Sequence, residues 1–179
     1  MAVVAALAGR RIDSPSDPGR FPLEHVSLVA GRLRKTLETE GATMLVCSAA
    51  CGADLVALDA ASSLNIGRRI VLPFDAERFR KESVTDRPGD WGPIFDRNVA
   101  ELSATGDVVV MNESPGTKAY AAATLKILDE AERLAAASQT RVVSIVVWEG
   151  QQRSGTDLTD EFRQESHSRN IDVIEVLTR

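Results

Sequence analysis

Residues 42–59 read ATMLVCSAACGADLVALD, and this stretch limits the possible folds more than any other. An apolar run, Met44 to Cys47, stops at Ser48-Ala49-Ala50 and passes through Cys51-Gly52-Ala53-Asp54. It then gives way to Leu55, Leu58 and Ala61 at helical spacing. Such a pattern is a strand covered on both faces, a tight turn of small residues, and a helix. The same succession recurs along the chain. Apolar runs at residues 3–8, 69–74, 107–111, 141–148 and 171–176 predict five further strands.

Helical patterns fill the intervals. Pro22 suits a first helical turn, after which Val26, Val29, Ala30, Leu33 and Leu37 form one stripe that Gly41 stops. Shorter helices are predicted over residues 75–83 and 93–102. A long Ala-rich helix capped by Thr117 would turn Ala121, Leu125, Leu128 and Leu134 inward, and a last helix would be capped by Thr156 or Asp157. Strands that alternate with helices imply right-handed crossovers and a mainly parallel sheet. The predicted architecture is an α/β, Rossmann-like doubly wound sandwich of about six strands with helices on both faces. The length of 179 residues suits one such domain.

Composition narrows the function classes. Aromatic residues make up only 4% of the chain, so its core is expected to consist of small aliphatic side chains. The net charge of −5 argues against a broad basic field, so no general nucleic-acid binding is expected, although Arg10, Arg11 and Arg20 could form a local patch. No run approaches the roughly 18–20 apolar residues of a membrane span, so no membrane partner is expected. The apolar start lacks a leading basic segment, and the cytoplasm is the expected location. Cys47 and Cys51 have no second pair, which excludes a zinc cage built from cysteine alone. His25 and His167 fall on helices away from the strand ends. Neither a metal site nor a cofactor is expected.

Ligands of open α/β sheets bind beyond the carboxyl ends of the strands, where the strand order reverses. That rule selects Gly9 and Arg10, with Arg11 as an even alternative, after the first strand. It selects Ser48, Ala49, Gly52, Ala53 and Asp54 after the second, where free N–H groups at a helix start offer a seat for phosphate. Pro73 and Phe74 follow the third strand, Asn112 and Glu113 the fourth, and Trp148 and Glu149 the fifth. Phe74 or Trp91 could stack on a base, and Thr156 opens a second glycine-punctuated turn. Neither G-x-G-x-x-G nor G-x-x-x-x-G-K-[ST] is present, which disfavours ordinary dinucleotide and P-loop sites.

Taken together, Gly9-Arg10-Arg11-Ile12-Asp13, Ser48 to Asp54, Val71-Leu72-Pro73-Phe74 and Val147-Trp148-Glu149-Gly150 resemble the SLOG superfamily. This Rossmann-like group includes the LOG phosphoribohydrolases, molybdenum-cofactor carrier proteins and the DNA-processing A domain. The likeness is greatest to SLOG-like domains of bacterial signalling proteins and runs over residues 3–176. It implies recognition of a nucleotide or a nucleotide-derived small molecule, by a sensor or by a hydrolase of N-glycosidic bonds. The hydrolase branch carries a P-G-G-x-G-T-x-x-E loop, matched only in part by residues 114–117 and 155–157. Glu113 and Glu149 are the carboxylates that could serve such catalysis. The expectation is therefore a binding or sensing domain, with a nucleoside-monophosphate glycosidase and an interaction module with a vestigial cleft as alternatives. Apolar helix faces could pair two copies as a homodimer.

Overall fold

The computed structural model describes residues 2–179. Its strands are β1 (Val3–Gly9), β2 (Ala42–Cys47), β3 (Gly67–Leu72), β4 (Val108–Val110), β5 (Arg141–Trp148) and β6 (Asp172–Leu177). All are parallel and form one sheet in the order β4-β3-β2-β1-β5-β6. The helices are α1 (Val26–Thr39), α2 (Ala53–Ser63), α3 (Ala76–Ser83), α4 (Gly92–Thr105), α5 (Thr117–Ser138) and α6 (Leu158–Ser168). This is the Rossmann-like α/β sandwich that the alternating pattern predicts.

Strand alternation assigns the two cores. Val3, Ala5 and Leu7 of β1 pack with α1, α2 and α4 on one face, whereas Val4 and Ala6 pack with α5 and α6 on the other. Helix α2 is buried along nearly its whole length, from Ala53 to Ala61 apart from Asp59, because it lies centrally on its face. On α5 the inward stripe matches the predicted one only in part. Leu128 is buried as expected, together with Ala119, Ala123, Ile127, Ala131 and Ala135, and Leu134 packs against the same core, while Leu125 is exposed. The small side chains let the helix pack close over β1.

Helix starts also differ from expectation. Pro22 leads into a single 3-10 turn, Leu23–His25, before α1 begins. Gly116, rather than Thr117, is the cap residue of α5, and Asp157 is the cap of α6, its side chain accepting from the Asp160 N–H. Among the described residues, no helix is long and apolar enough to cross a membrane.

Candidate functional site

The sheet order shows where the chain changes direction. From β1 it steps outward through β2 and β3 to β4, after which α5 carries it back across the sheet to β5, on the other side of β1. The loops that leave β1 and β5 therefore diverge to opposite faces and leave a crevice between them. A cavity of about 460 Å³ occupies this point. Its walls are the 9–13 segment after β1, Ser48, Ala50 and Asp54 around the start of α2, and Phe79, Glu82 and Ser83 of α3. Tyr120, Ala123, Thr124 and Ile127 of α5 and the 156–159 segment at the start of α6 complete it.

One rim is a chain of alternating charges. The Arg10 guanidinium donates to Glu149 through Nε at 2.6 Å and to Asp157 through Nη2 at 3.0 Å, and also to the carbonyl of Gln151 at 2.9 Å. Glu149 pairs in turn with Arg20 at 3.1 Å, Arg20 with Asp17 at 3.4 Å, and Asp17 with Arg153 at 2.8 Å. The Arg153 backbone N–H returns to Asp157 at 2.8 Å and closes the circuit. Three arginines meet three carboxylates, so the rim is electrically balanced. Its inner part is dry, with the side chains of Arg10, Glu149 and Asp157 at 4%, 4% and 2% exposure. Burial alone would lower the Arg10 pKa, but the hydrogen bonds it donates to Asp157 and Glu149, with their negative charges, outweigh it and the net shift is upward. Burial works against the Asp157 carboxylate too, and donors from Arg10, Arg153 and Asp160 hold its pKa below the usual range. Arg10 also lies over the Trp148 ring, 5.8 Å from its centroid. Asp13 folds the intervening loop by accepting the N–H groups of Gly19, Arg20 and Phe21.

The opposite rim is unbalanced. Arg11 Nη1 donates to both oxygens of Asp86, at 2.9 and 2.8 Å, and Arg87 Nε shares the same carboxylate at 3.4 Å. Arg11 further donates to the carbonyl of Glu82, and Arg87 to that of Ile12. Two guanidiniums thus share one carboxylate, and their side chains remain 30% and 23% exposed. This rim can accept a further anion without breaking a buried pair.

The expected phosphate seat at the start of α2 is filled by the chain itself. Ala53 N–H donates to the Arg10 carbonyl at 3.1 Å, and Cys51 N–H to the Ser83 carbonyl at 3.0 Å. Gly52, at φ +99°, packs so closely on the loop after β1 that a Cβ would lie 2.8 Å from Arg10 O and from Ile12 N. Gly9 is equally tight, since its Cβ would lie 2.5 Å from that of Ala53. Ala49, Gly52 and Ala53 consequently do not line the cavity, whereas Gly9, Arg10, Ser48 and Asp54 do. The phosphate role expected of Gly52 and Ala53 is corrected accordingly. Arg10 reaches the cavity, but its guanidinium is already committed to Glu149 and Asp157.

Asp54 is the polar group of the cavity floor. It is 8% exposed, and among the described residues its side chain makes one hydrogen bond, accepted from Ala50 N–H through Oδ2 at 3.1 Å. Burial raises its pKa to about 7, against the opposing pull of the Ala50 N–H and the Arg11 charge. Nearby, the hydroxyls of Ser83 and Tyr120 bond each other at 2.8 Å. Burial lifts the Cys51 thiol to about 11 and the Cys47 thiol well above its ordinary value, so neither is a thiolate.

The remaining expected residues lie apart. Phe74 is buried behind the wall, its ring edge-on to Tyr120 with centroids 5.6 Å apart, and Pro73 is buried beside it. Trp91 lines a separate crevice between α1 and α2, with its indole N–H on the Pro88 carbonyl. Asn112 and Glu113 are exposed and do not line the cavity. Glu149 is held by Arg10 and Arg20, and neither it nor Glu113, the two carboxylates expected as acid or nucleophile, lines the cavity. Thr156 lies on the cavity wall. Arg87, Tyr120, Thr124 and Arg153 went unrecognised in the sequence. A signal existed for two of them, since Tyr120 and Thr124 sit four apart on the otherwise apolar inward stripe of α5.

No protein-family model matches the chain, nor does any curated protein. Among solved structures it is similar to DNA processing protein A from Helicobacter pylori, described for its single-stranded DNA binding mode. The identity is 15% and the TM-score 0.46, over 96% of this chain and 75% of that one. That protein's single-stranded DNA binding conflicts with the expectation, drawn from net charge, that nucleic acid is no partner, and the expectation is withdrawn. Net charge sums the whole surface and does not report local fields.

Proposed function

We propose that the cavity at the strand reversal binds a nucleotide or nucleotide-derived small molecule, as a SLOG-type ligand-binding domain would. The observation that carries this reading is the unbalanced rim. Arg11 and Arg87 share one carboxylate beside a cavity whose volume falls within the roughly 300–1,000 Å³ of small-molecule sites. A phosphate would sit on these two guanidiniums, which suit bidentate contact with its oxygens. The sugar and base would lie further in, against Tyr120, Thr124 and Asp54. The motif likeness at the ends of β1, β2, β3 and β5 supports the same assignment. Binding is the proposal, because neither Glu113 nor Glu149 lines the cavity.

Thermal shift tests it, with nucleoside monophosphates, dinucleotides, cyclic nucleotides and short single-stranded oligonucleotides as probes. A binder at a hundredfold its dissociation constant adds about 2.7 kcal/mol of stability. The shift should disappear in the double variant Arg11→Ala/Arg87→Ala. A panel without any shift, or a shift that survives this variant, rejects the assignment.

A further inference from the structure

Asp54 is a buried carboxyl group that faces a cavity and has no cationic partner. Among the described residues it joins no ion pair, and a single backbone N–H satisfies one of its oxygens. Asp54 is 8% exposed, and the cavity it lines joins apolar side chains such as Leu7, Ala8, Ala123 and Ile127 to polar and charged ones, Arg11 among them. An ionised carboxylate in such a place is poorly solvated, and the main influence favouring it besides the Ala50 N–H is the positive charge of Arg11. Arg11 is also the guanidinium left incompletely neutralised at the rim.

We propose that Arg11 and Asp54 couple anion binding at the rim to protonation of the cavity floor. The inference rests on the phosphate assignment above and adds its consequence for the ligand. A phosphate on Arg11 cancels the field that favours the Asp54 carboxylate, and the carboxylate takes up one proton from solvent. No bond in the ligand changes. Once protonated, Asp54 is a donor, so the floor selects ligands that present an acceptor there, such as a base carbonyl or unprotonated ring nitrogen.

The other charged groups of the cavity do not compensate. Arg10 is held by Glu149 and Asp157, and Asp13 by three backbone N–H groups. On α3, Glu82 pairs with Arg78, while Asp86 is shared by Arg11 and Arg87. Tyr120 is hydrogen-bonded to Ser83, and the Cys47 thiol beneath stays protonated. Arg20, Asp17 and Arg153 complete the balanced rim.

Two measurements test the coupling. In the free protein, carbon NMR of the aspartate carboxyls is followed with pH, and Asp54→Asn identifies the resonance. Its midpoint should lie near 7 and move upward in Arg11→Met, which removes the same charge that a phosphate would cancel. A midpoint near the ordinary aspartate value, or one unmoved by Arg11→Met, overturns the inference whatever the ligand. In the second measurement, binding of the dinucleotide ApA is measured between about pH 5.5 and 8.5, where a phosphodiester keeps constant charge. Affinity should fall as pH rises above the midpoint, by up to about tenfold per unit, and the Asp54→Asn profile should be flat. ApA binding with the same pH profile in both proteins overturns the coupling. Absence of ApA binding at every pH counts against the nucleotide reading and leaves the free-protein titration to decide the coupling.

Discussion

Arg10 and Arg11 are neighbours in the chain and opposites in the fold. Arg10 is 5% exposed and meets two carboxylates that are themselves buried. Arg11 is partly solvated and shares one half-exposed carboxylate with a second arginine. The first belongs to a closed circuit of charges that joins the ends of β1 and β5 to the start of α6. The second leaves positive charge in excess beside the cavity. What separates the two arginines is the local ratio of guanidinium to carboxylate, together with access to water.

The comparison is most exposed to failure at Arg10. Its replacement by Met leaves Asp157 buried without its guanidinium partner and Glu149 with Arg20 alone, and loss of one member of a buried ion pair costs about 3–5 kcal/mol. Urea unfolding should show a loss of this size, and a loss under about 1 kcal/mol would mean that the circuit is not structural. Asp54→Asn acts next, through pH. The folded-state pKa of Asp54, about 7, lies above the ordinary aspartate value of 3.8. Between these values the folded state holds a proton that the unfolded state releases, so wild-type stability declines as pH rises from about 4 to 7. The Asn variant lacks that decline, and the gap between the two proteins, a few kcal/mol when fully developed, is constant above that window. Parallel curves across it would show that Asp54 is not held protonated.

Arg11→Ala should barely change stability, by less than about 1 kcal/mol, because its pair is half-exposed. It should nevertheless weaken anion binding at the rim by an order of magnitude, the scale of one charge-assisted hydrogen bond. Reversal of this pattern, with stability lost and binding kept, would exchange the roles of the two arginines. Asp17→Asn is the smallest perturbation. Asp17 stands at the solvated end of the circuit, with a side chain 41% exposed. A change of at most about 0.5 kcal/mol that vanishes in high salt is expected from thermal unfolding.

Legibility differed between fold and site for physical reasons. Apolar runs of the β1 and β5 type announce buried parallel strands locally, and the glycine-and-small-residue turn after β2 marks a helix start. Both are properties of a few consecutive residues. Gly52 illustrates where local reading stops. Its place at a helix start predicts a phosphate seat, yet the space beside it is filled by the backbone of Arg10 and Ile12. Trp91 and Phe74 show the same limit. An aromatic residue near a strand end is equally suited to a stacking face and to a core, and here one lines a different crevice and the other packs behind Tyr120.

By itself the sequence determined a parallel α/β sandwich and two adjacent arginines at the end of its first strand, where a ligand is expected. Only the tertiary structure decided which arginine is committed. In extended chain, successive side chains point to opposite sides, and the partners that neutralise Arg10 lie 139 and 147 residues away. Local pattern carries no information about them. The sheet order brings β5 and α6 beside β1, and that juxtaposition buries Arg10 among acids while it leaves Arg11 at the open rim.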